Sequence, residues 1–562
     1  MRLRFLLSLI LVLTSALSLQ AEPVKPTAVI VAKPVSRLLG EYQEMIRQVA
    51  GPVESERAVK EFEHHLKEEL GDQGFDGLDI NRPLAAYIAV HEKVEDSNPI
   101  LIVPVTGEQD FIAFLQRLKI KATAIQGKKG LYHLRIGGLD FLPNESHVQF
   151  VEGGWAYVGL NGDDVADANC RLPLDGLFDN ADLSLIAANF YPGRLPQPVL
   201  KNWLDELDQA ANGIKGFLGA VGPKHVTKIY QTFFEEGPKL VRRYGETGIK
   251  EATTIRLQFS WDPATAEALT ELVLTPKPGT LLAKEVATRA ATTHRFAAMI
   301  PPNAVVGVAV KLPLFAREVQ EIVASVLEAL EVEIKPSEIP SAFHPVLEEL
   351  AKGAIQSVKK GDLDFAFALV GPEKERKFSI VAAMNSANSV ALEKALRQAA
   401  QVAEYAKHFE LDLAKVAGVS IHKVPFTRLY TEEVLRELAP VFGENPPSYV
   451  AITKDAAYLS FGLDSLAVLK AALEAKAAPL PVAVEITGNT QRIQKLVSTL
   501  AGDVIGNRFA QEIGSEDKLA SMFRVTVEGG ERLKVSARVN LRYLPRFIVV
   551  GEQLENAPAQ RK

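Results

Sequence analysis

Residues 303–330, NAVVGVAVKLPLFAREVQEIVASVLEAL, repeat the pattern of residues 27–49, TAVIVAKPVSRLLGEYQEMIRQV. In each, a β-branched apolar run ends near a lysine and a proline, and a stretch with apolar residues three and four apart follows. That spacing predicts a strand leading into a helix, twice. Gln43-Glu44 falls on Gln320-Glu321, an offset of 277 residues. The chain reads as an internal duplication. Neither stretch carries a catalytic group.

The order of further signals agrees. Residues 55–70 predict a helix with Val59, Phe62, Leu66 and Leu70 on one face. Two apolar runs, 84–90 and 99–105, flank the charged turn EKVEDSN as in a hairpin, and 108–118 reads as a helix. The second half repeats this with strands at 364–370 and 378–383 and a helix at 389–403. SHVQFVEGGWAYVGLNGDDVADA, from Ser146, matches PSYVAITKDAAYLSFGLDSLAVLKAA, from Pro447: a hairpin and a helix in each, with Tyr157 on Tyr458. A strand and helix then follow (183–190 with 196–211, and 482–487 with 490–500), and paired strands close each half (253–261 with 268–275, and 523–528 with 534–541). Short turns between neighbours predict an α+β fold, internally duplicated, with largely antiparallel sheets and helices packed on one face. The expected segments are a signal peptide at 1–21, a first repeat at 22–280, a helical connector at 281–302, a second repeat at 303–550 and a disordered tail at 551–562.

Arg2 and Arg4, the apolar run from Phe5 to Leu19 and the Ala21-Glu22-Pro23 junction have the form of a secretory signal peptide. The apolar run is shorter than the ~20 residues that span a bilayer, and the runs farther along are interrupted, as by Lys311 and Pro313, so no transmembrane segment is expected after cleavage. Export to the periplasm or the extracellular space follows. Removing residues 1–21 takes two arginines away and moves the net charge from −6 to −8. An acidic chain whose tightest basic group is Lys239, Arg242 and Arg243 does not invite nucleic acid. The single cysteine, Cys170, leaves no internal disulfide, so a core drawn from 47% apolar residues must hold the fold. Cys170 itself reads as a small hydrophobe.

The junction between the halves carries a resemblance. The turn Pro276-Lys277-Pro278-Gly279-Thr280, then Leu282-Ala283, then Pro301-Pro302-Asn303 leading into a strand, is similar to exported bacterial proteins of a family with no assigned function. The resemblance implies export and a repeated α+β body. It carries over no catalytic residue.

Motifs for chemistry fall short one by one. His91-Glu92-Lys93-Val94-Glu95 begins like the zinc-protease helix but ends on glutamate, and His65-Leu66-Lys67-Glu68-Glu69 fails the inverted form in the same way. Gly418-Val419-Ser420-Ile421-His422 lacks the second glycine of a nucleophile elbow, and Val419 and Ile421 alternate as in a strand. No phosphate loop and no dinucleotide fingerprint is present, so no cofactor and no metal is expected. Gly213, Gly216, Gly219 and Gly222 recur every third residue, which fits a flap over a cavity or a glycine-rich loop. Trp155, Trp203 and Trp261 read as core aromatics, and Asn144-Glu145-Ser146 is a formal sequon in a loop.

These readings predict an exported envelope binding or scaffold protein, without catalytic turnover, whose partner is another envelope protein or a surface polymer, or an apolar ligand under the alternative that follows. One alternative is a carrier holding an acyl chain between curved sheet and helices. Another is a hydrolase whose site is assembled from distant residues.

Overall fold

The computed structural model describes residues 25–136, 145–179, 184–206, 245–290, 292–313, 340–372, 377–429, 432–480, 482–501 and 521–542, together with 209, 320–321 and 324–325. The glycine series 213–222 lies outside the described residues, as do residues 1–24 and the expected tail. Contacts divide the chain into two compact units, the first taking the described residues up to 206 with 246–277, and the second those from 278 on with 209 and 245.

In the first unit, β1 (Ala28–Ala32) leads into the long helix α1 (Val35–Leu70). Next come β2 (Leu84–Ala89), β3 (Asn98–Pro104), helix α2 (Glu108–Arg117), β4 (Ile120–Ala124), β5 (Leu131–Ile136), β6 (Glu145–Val151), β7 (Trp155–Gly159) and the short helix α3 (Gly162–Ala166). The unit closes with β8 (Ile186–Phe190), a helix over residues 197–206, β9 (Ala252–Asp262) and β10 (Glu267–Pro276). The strands form one antiparallel sheet in the order β4-β5-β6-β7-β3-β2-β1-β8-β9-β10. The tight β6–β7 turn needs glycine. Gly154 holds φ +72, and a Cβ there would stand 3.0 Å from the Val105 carbonyl.

The second unit opens with α4 (Leu281–Thr288) and β11 (Thr292–His294), so the expected helical connector is only partly helical. After β12 (Val306–Pro313) come α5 (His344–Lys359), β13 (Asp362–Val370), β14 (Ser379–Asn385), α6 (Ser389–Ala399), β15 (Glu410–Val416) and β16 (Val419–Val424). Then follow α7 (Glu432–Phe442), β17 (Ser448–Ile452), β18 (Ala456–Gly462), α8 (Ser465–Glu474), β19 (Ala478–Leu480), β20 (Val484–Asn489), α9 (Thr490–Ala501), β21 (Ser521–Glu528) and β22 (Leu533–Asn540). Apart from the small β11–β19 pair, the strands form an antiparallel sheet in the order β15-β16-β17-β18-β14-β13-β12-β20-β21-β22.

Setting β1 to β10 against β12 to β18 and β20 to β22 gives the same order in both sheets. The register agrees as well. Across the first sheet, Leu131, Gln149, Tyr157, Ile102, Ala85, Val31, Ala187, Gln258 and Glu271 stand opposite one another in turn. Across the second, the corresponding row is Ile421, Ala451, Tyr458, Ala383, Ala366, Ala309, Glu485, Thr526 and Ser536. A slip of one residue in any strand would turn its side chains to the other face and break this match.

The α+β class and the antiparallel pairing are as expected, but the helices cover both faces of each sheet instead of one. In the first unit, Val165 of α3 packs with Tyr157, Ile102 and Leu131 on one face, while Phe111, Phe114 and Leu115 of α2 pack with Val148 and Ala156 on the other. In the second, Leu469 and Ala472 of α8 cover the Tyr458 face, and Leu396 and Ala399 of α6 cover the face carrying Val424 and Val450. Central strands buried on both sides read as continuous apolar runs. NPILIVP in β3 is such a run, with six of its seven positions buried.

Candidate binding face and polar clusters

Residues one place beyond the matched row bring polar groups to helices α2 and α6. Tyr132 follows Leu131, and its hydroxyl donates to Glu108 Oε1 on α2 at 2.6 Å, which raises the phenol's pKa. His422 follows Ile421, and its Nε2 stands 3.4 Å from Glu393 Oε1 on α6. Around His422 the sheet is irregular. The β15–β16 register shifts between Glu410 and Ala414, and Asp412 in the shift has φ +52. That backbone lets the Asp412 N–H donate to His422 Nδ1 at 3.0 Å, which places the ring proton on Nε2, facing Glu393.

Arg397 ties the cluster together. Its two terminal nitrogens donate to both Asp412 oxygens at 2.9 and 3.0 Å, and its Nε donates to Glu393 Oε1 at 2.7 Å. Arg397 holds the Asp412 carboxyl well below the usual carboxylate range, and the His422 contact lowers that of Glu393. Chemically this is a closed network. Both nitrogens of His422 are engaged, the ring is 1% exposed, and Ser420 bonds to Asp412 instead of to a base. An imidazole without a free lone pair or an approach path does not act as a general base.

The other sequence candidates stay apart. His91 precedes a short 3-10 turn, Val94–Asp96, so the helix a zinc motif needs is absent there. His65 lies on α1, exposed and 3.2 Å from Glu68. Among the described residues no group of three or more His, Cys, Asp or Glu side chains is arranged to hold a metal ion. Cys170 is half-buried, and burial, with Asp164 and Asp167 nearby, pushes its thiol up and away from the reactive thiolate. Trp155 is core, stacked on Phe178 at 5.2 Å with the Arg82 guanidinium 3.9 Å from its ring. Trp261 is buried as well, with its Nε1 unpartnered.

One match escaped the sequence reading. Lys33 and Lys311 follow Val31 and Ala309 by two places, so they share a register position, and each pairs with a carboxylate: Glu41 at 2.7 Å and Asp364 at 3.4 Å. Lysine had been visible at the end of both apolar runs, but its partners come from different elements, a helix in one unit and a strand in the other. Both lysines are largely covered, with 11% and 19% of the side chain exposed. Their carboxylate partners are 17% exposed at Glu41 and 1% at Asp364.

One exposed sheet face is apolar. On the face of the first sheet that Phe190 shares, Ile186 pairs with Phe259, Ala188 with Leu257, and Leu257 with Leu272. Leu257 is 50% exposed, Leu272 42% and Ile186 39%. Trp203, from the helix of residues 197–206, adds to them at 42% exposure and stacks on Phe190 with ring centres 6.4 Å apart. Contrary to the core assignment made from sequence, Trp203 is a surface aromatic. A different depression, of about 360 Å³, lies between α7 and α9, but Glu433, Arg436, Glu437, Pro440 and Leu500 line it, which is no dry pocket for an acyl chain. No described helix is long and apolar enough to cross a membrane.

No protein-family model matches the chain, and no curated protein matches it. Among solved structures, a chain titled "Structure of crystal form I of TP0453" is similar over 50% of this chain and 86% of its own, at 10% identity and a TM-score of 0.19. A likeness at that score carries no argument about fold or function.

Proposed function

We propose that this is an exported envelope protein, built by internal duplication, that binds another macromolecule through the apolar face of β8, β9 and β10 and performs no catalytic turnover. The observation that carries the reading is that Ile186, Leu257 and Leu272 are exposed on the paired strands β8, β9 and β10, with the exposed Trp203 stacked on Phe190 of β8. Single exposed leucines are ordinary, whereas large apolar side chains adjacent on one rigid sheet mark an interaction surface. The equal strand order and register of the two sheets support the duplication. Export rests on the leader-like residues 1–21.

A partner protein or surface polymer suits this face because neighbouring strands hold its apolar side chains side by side. The carrier alternative draws on the same residues, with an acyl chain lying over them. Mass spectrometry on native protein purified from its own host separates the two. A co-purifying protein or polymer supports the proposal, a stoichiometric lipid replaces it with the carrier, and bare protein removes both.

A further inference from the structure

From Phe111 to Leu139 the chain contains no aspartate or glutamate and carries Arg117, Lys119, Lys121, Lys128, Lys129 and Arg135, in a protein whose formal net charge is −6. Apart from Arg117, which ends α2, the fold places these cations on or beside one hairpin, β4–β5. Ile120 and Ala122 pack beneath α2 with Phe114 and Leu115, leaving Lys121 and Thr123 exposed on the opposite face. Lys119, Lys128, Lys129 and Arg135 are exposed too. Among the described residues, only Lys128 of these has a carboxylate partner, Asp163 at 2.7 Å. Arg117 is held by Gln73 and by the carbonyls of Gly74 and Asp76.

Two details set this hairpin apart from an ordinary solvated surface. Lys121 stands directly opposite Arg135, and like charges facing each other across a ladder are unfavourable. Glu145 is next in register to Arg135, yet the contact its carboxylate makes is with His133, at 3.9 Å. The second unit resolves the same edge differently. There Glu410 faces Lys423 and the two form an ion pair, and the strand is bulged at Asp412. On the first unit's edge strand the residue opposite Lys121 is a cation and the register runs without a bulge, and among the described residues β4 pairs with β5 alone.

We infer that β4 is a docking edge for an extended, acidic segment of a partner protein, which adds as a strand beside Ile120–Ala124 while its carboxylates meet Lys119, Lys121 and Arg135. The free edge offers main-chain hydrogen bonds, and the cations select the partner's charge. Lysine on an edge also repels a second copy of the same strand, so the edge is closed to self-association and open to an acidic chain. A membrane surface fits less well, because the hairpin tip, Gln126-Gly127-Lys128-Lys129, presents no large apolar side chain to insert. This inference rests on the binding-protein reading and names a partner class for it.

The test uses the full chain and a fluorescent ten-residue peptide of alternating glutamate and threonine, followed by anisotropy. The expected result is saturable binding that weakens on raising salt from about 50 to about 300 mM. Binding should fall at least about tenfold in Lys121→Glu/Arg135→Glu, with Lys121→Gln/Arg135→Gln intermediate. The same peptide N-methylated along its backbone keeps the charge and loses the donors, and it should bind at least about tenfold more weakly. Equal binding by the N-methylated peptide, by heparin or by phosphatidylglycerol vesicles would overturn strand addition, as would unchanged binding in the charge-reversed variant or no binding to the wild type. None of these substitutions touches Leu257, Leu272 or Trp203, so failure here leaves the apolar face to be judged separately.

Discussion

Tyr157 and Tyr458 occupy the same register position in the strand ladders of the two units: Tyr157 lies between Ile102 and Gln149, and Tyr458 between Ala383 and Ala451. Their rings are packed in both places and burial raises both phenol pKa values, yet their surroundings have diverged. The Tyr157 hydroxyl donates to the Leu172 carbonyl at 3.0 Å, whereas the Tyr458 ring meets Phe296 edge-on with centres 5.6 Å apart.

That difference predicts unequal responses to one substitution. Tyr157→Phe removes a hydrogen bond and should cost about 0.5–1.5 kcal/mol. Tyr458→Phe keeps the edge-on ring pair and should stay within about 0.5 kcal/mol of wild type. Urea unfolding of both variants gives the comparison, and equal losses would contradict the assignment.

Acid should weaken the Glu393–Arg397–Asp412 network in a definite window. Both carboxyls have folded pKa values below their ordinary ones, so their contribution is complete above the unfolded carboxylate value of about 4 and fades as pH falls below it toward the folded values. Arg397→Ala removes the main cause at Asp412. The variant should be less stable than wild type at pH 7, and the gap should narrow as pH drops from about 5 to about 2. Thermal melts across that range test the sign, and a gap that widens in acid would be inconsistent with it.

Cys170 should be a slow thiol. Burial and two neighbouring aspartates disfavour its thiolate. Iodoacetamide at pH 8 should label the folded chain at least about tenfold more slowly than the urea-unfolded chain. Equal rates would show that the thiol is open to solvent.

Much of the strand order was legible because β-branched runs and turn residues mark β1 to β3 and β12 to β14 in the same sequence. Helices on both faces were harder to see, although continuous runs such as NPILIVP signal double burial. The hairpin β4–β5 is not legible in the sequence, and of β15–β16 only the strand at Val419 and Ile421 is. IKATA holds a single β-branched aliphatic residue beside lysine and alanine, and ELDLAKV carries a bulge that breaks its alternation. The apolar face was hidden for another reason. Thr253 to Trp261 alternates like any half-buried strand, and alternation alone does not say which strand's apolar side the fold leaves uncovered.

The apolar face should tolerate charge in the free protein. Leu257→Asp and Leu272→Asp alter exposed side chains and should shift stability by no more than about 0.5 kcal/mol, while removing whatever co-purifies with wild type. A large loss of stability would mean that these leucines are packed.

The most direct test of binding through this face is site-specific photo-crosslinking in the native host. A benzophenone amino acid is placed at Leu257, at Leu272 and, as a control, at Val390, an isolated valine that is 79% exposed. The account predicts one discrete protein or polymer adduct from positions 257 and 272 and none from 390. No adduct at 257 and 272, or the same adducts from all three positions, would contradict it.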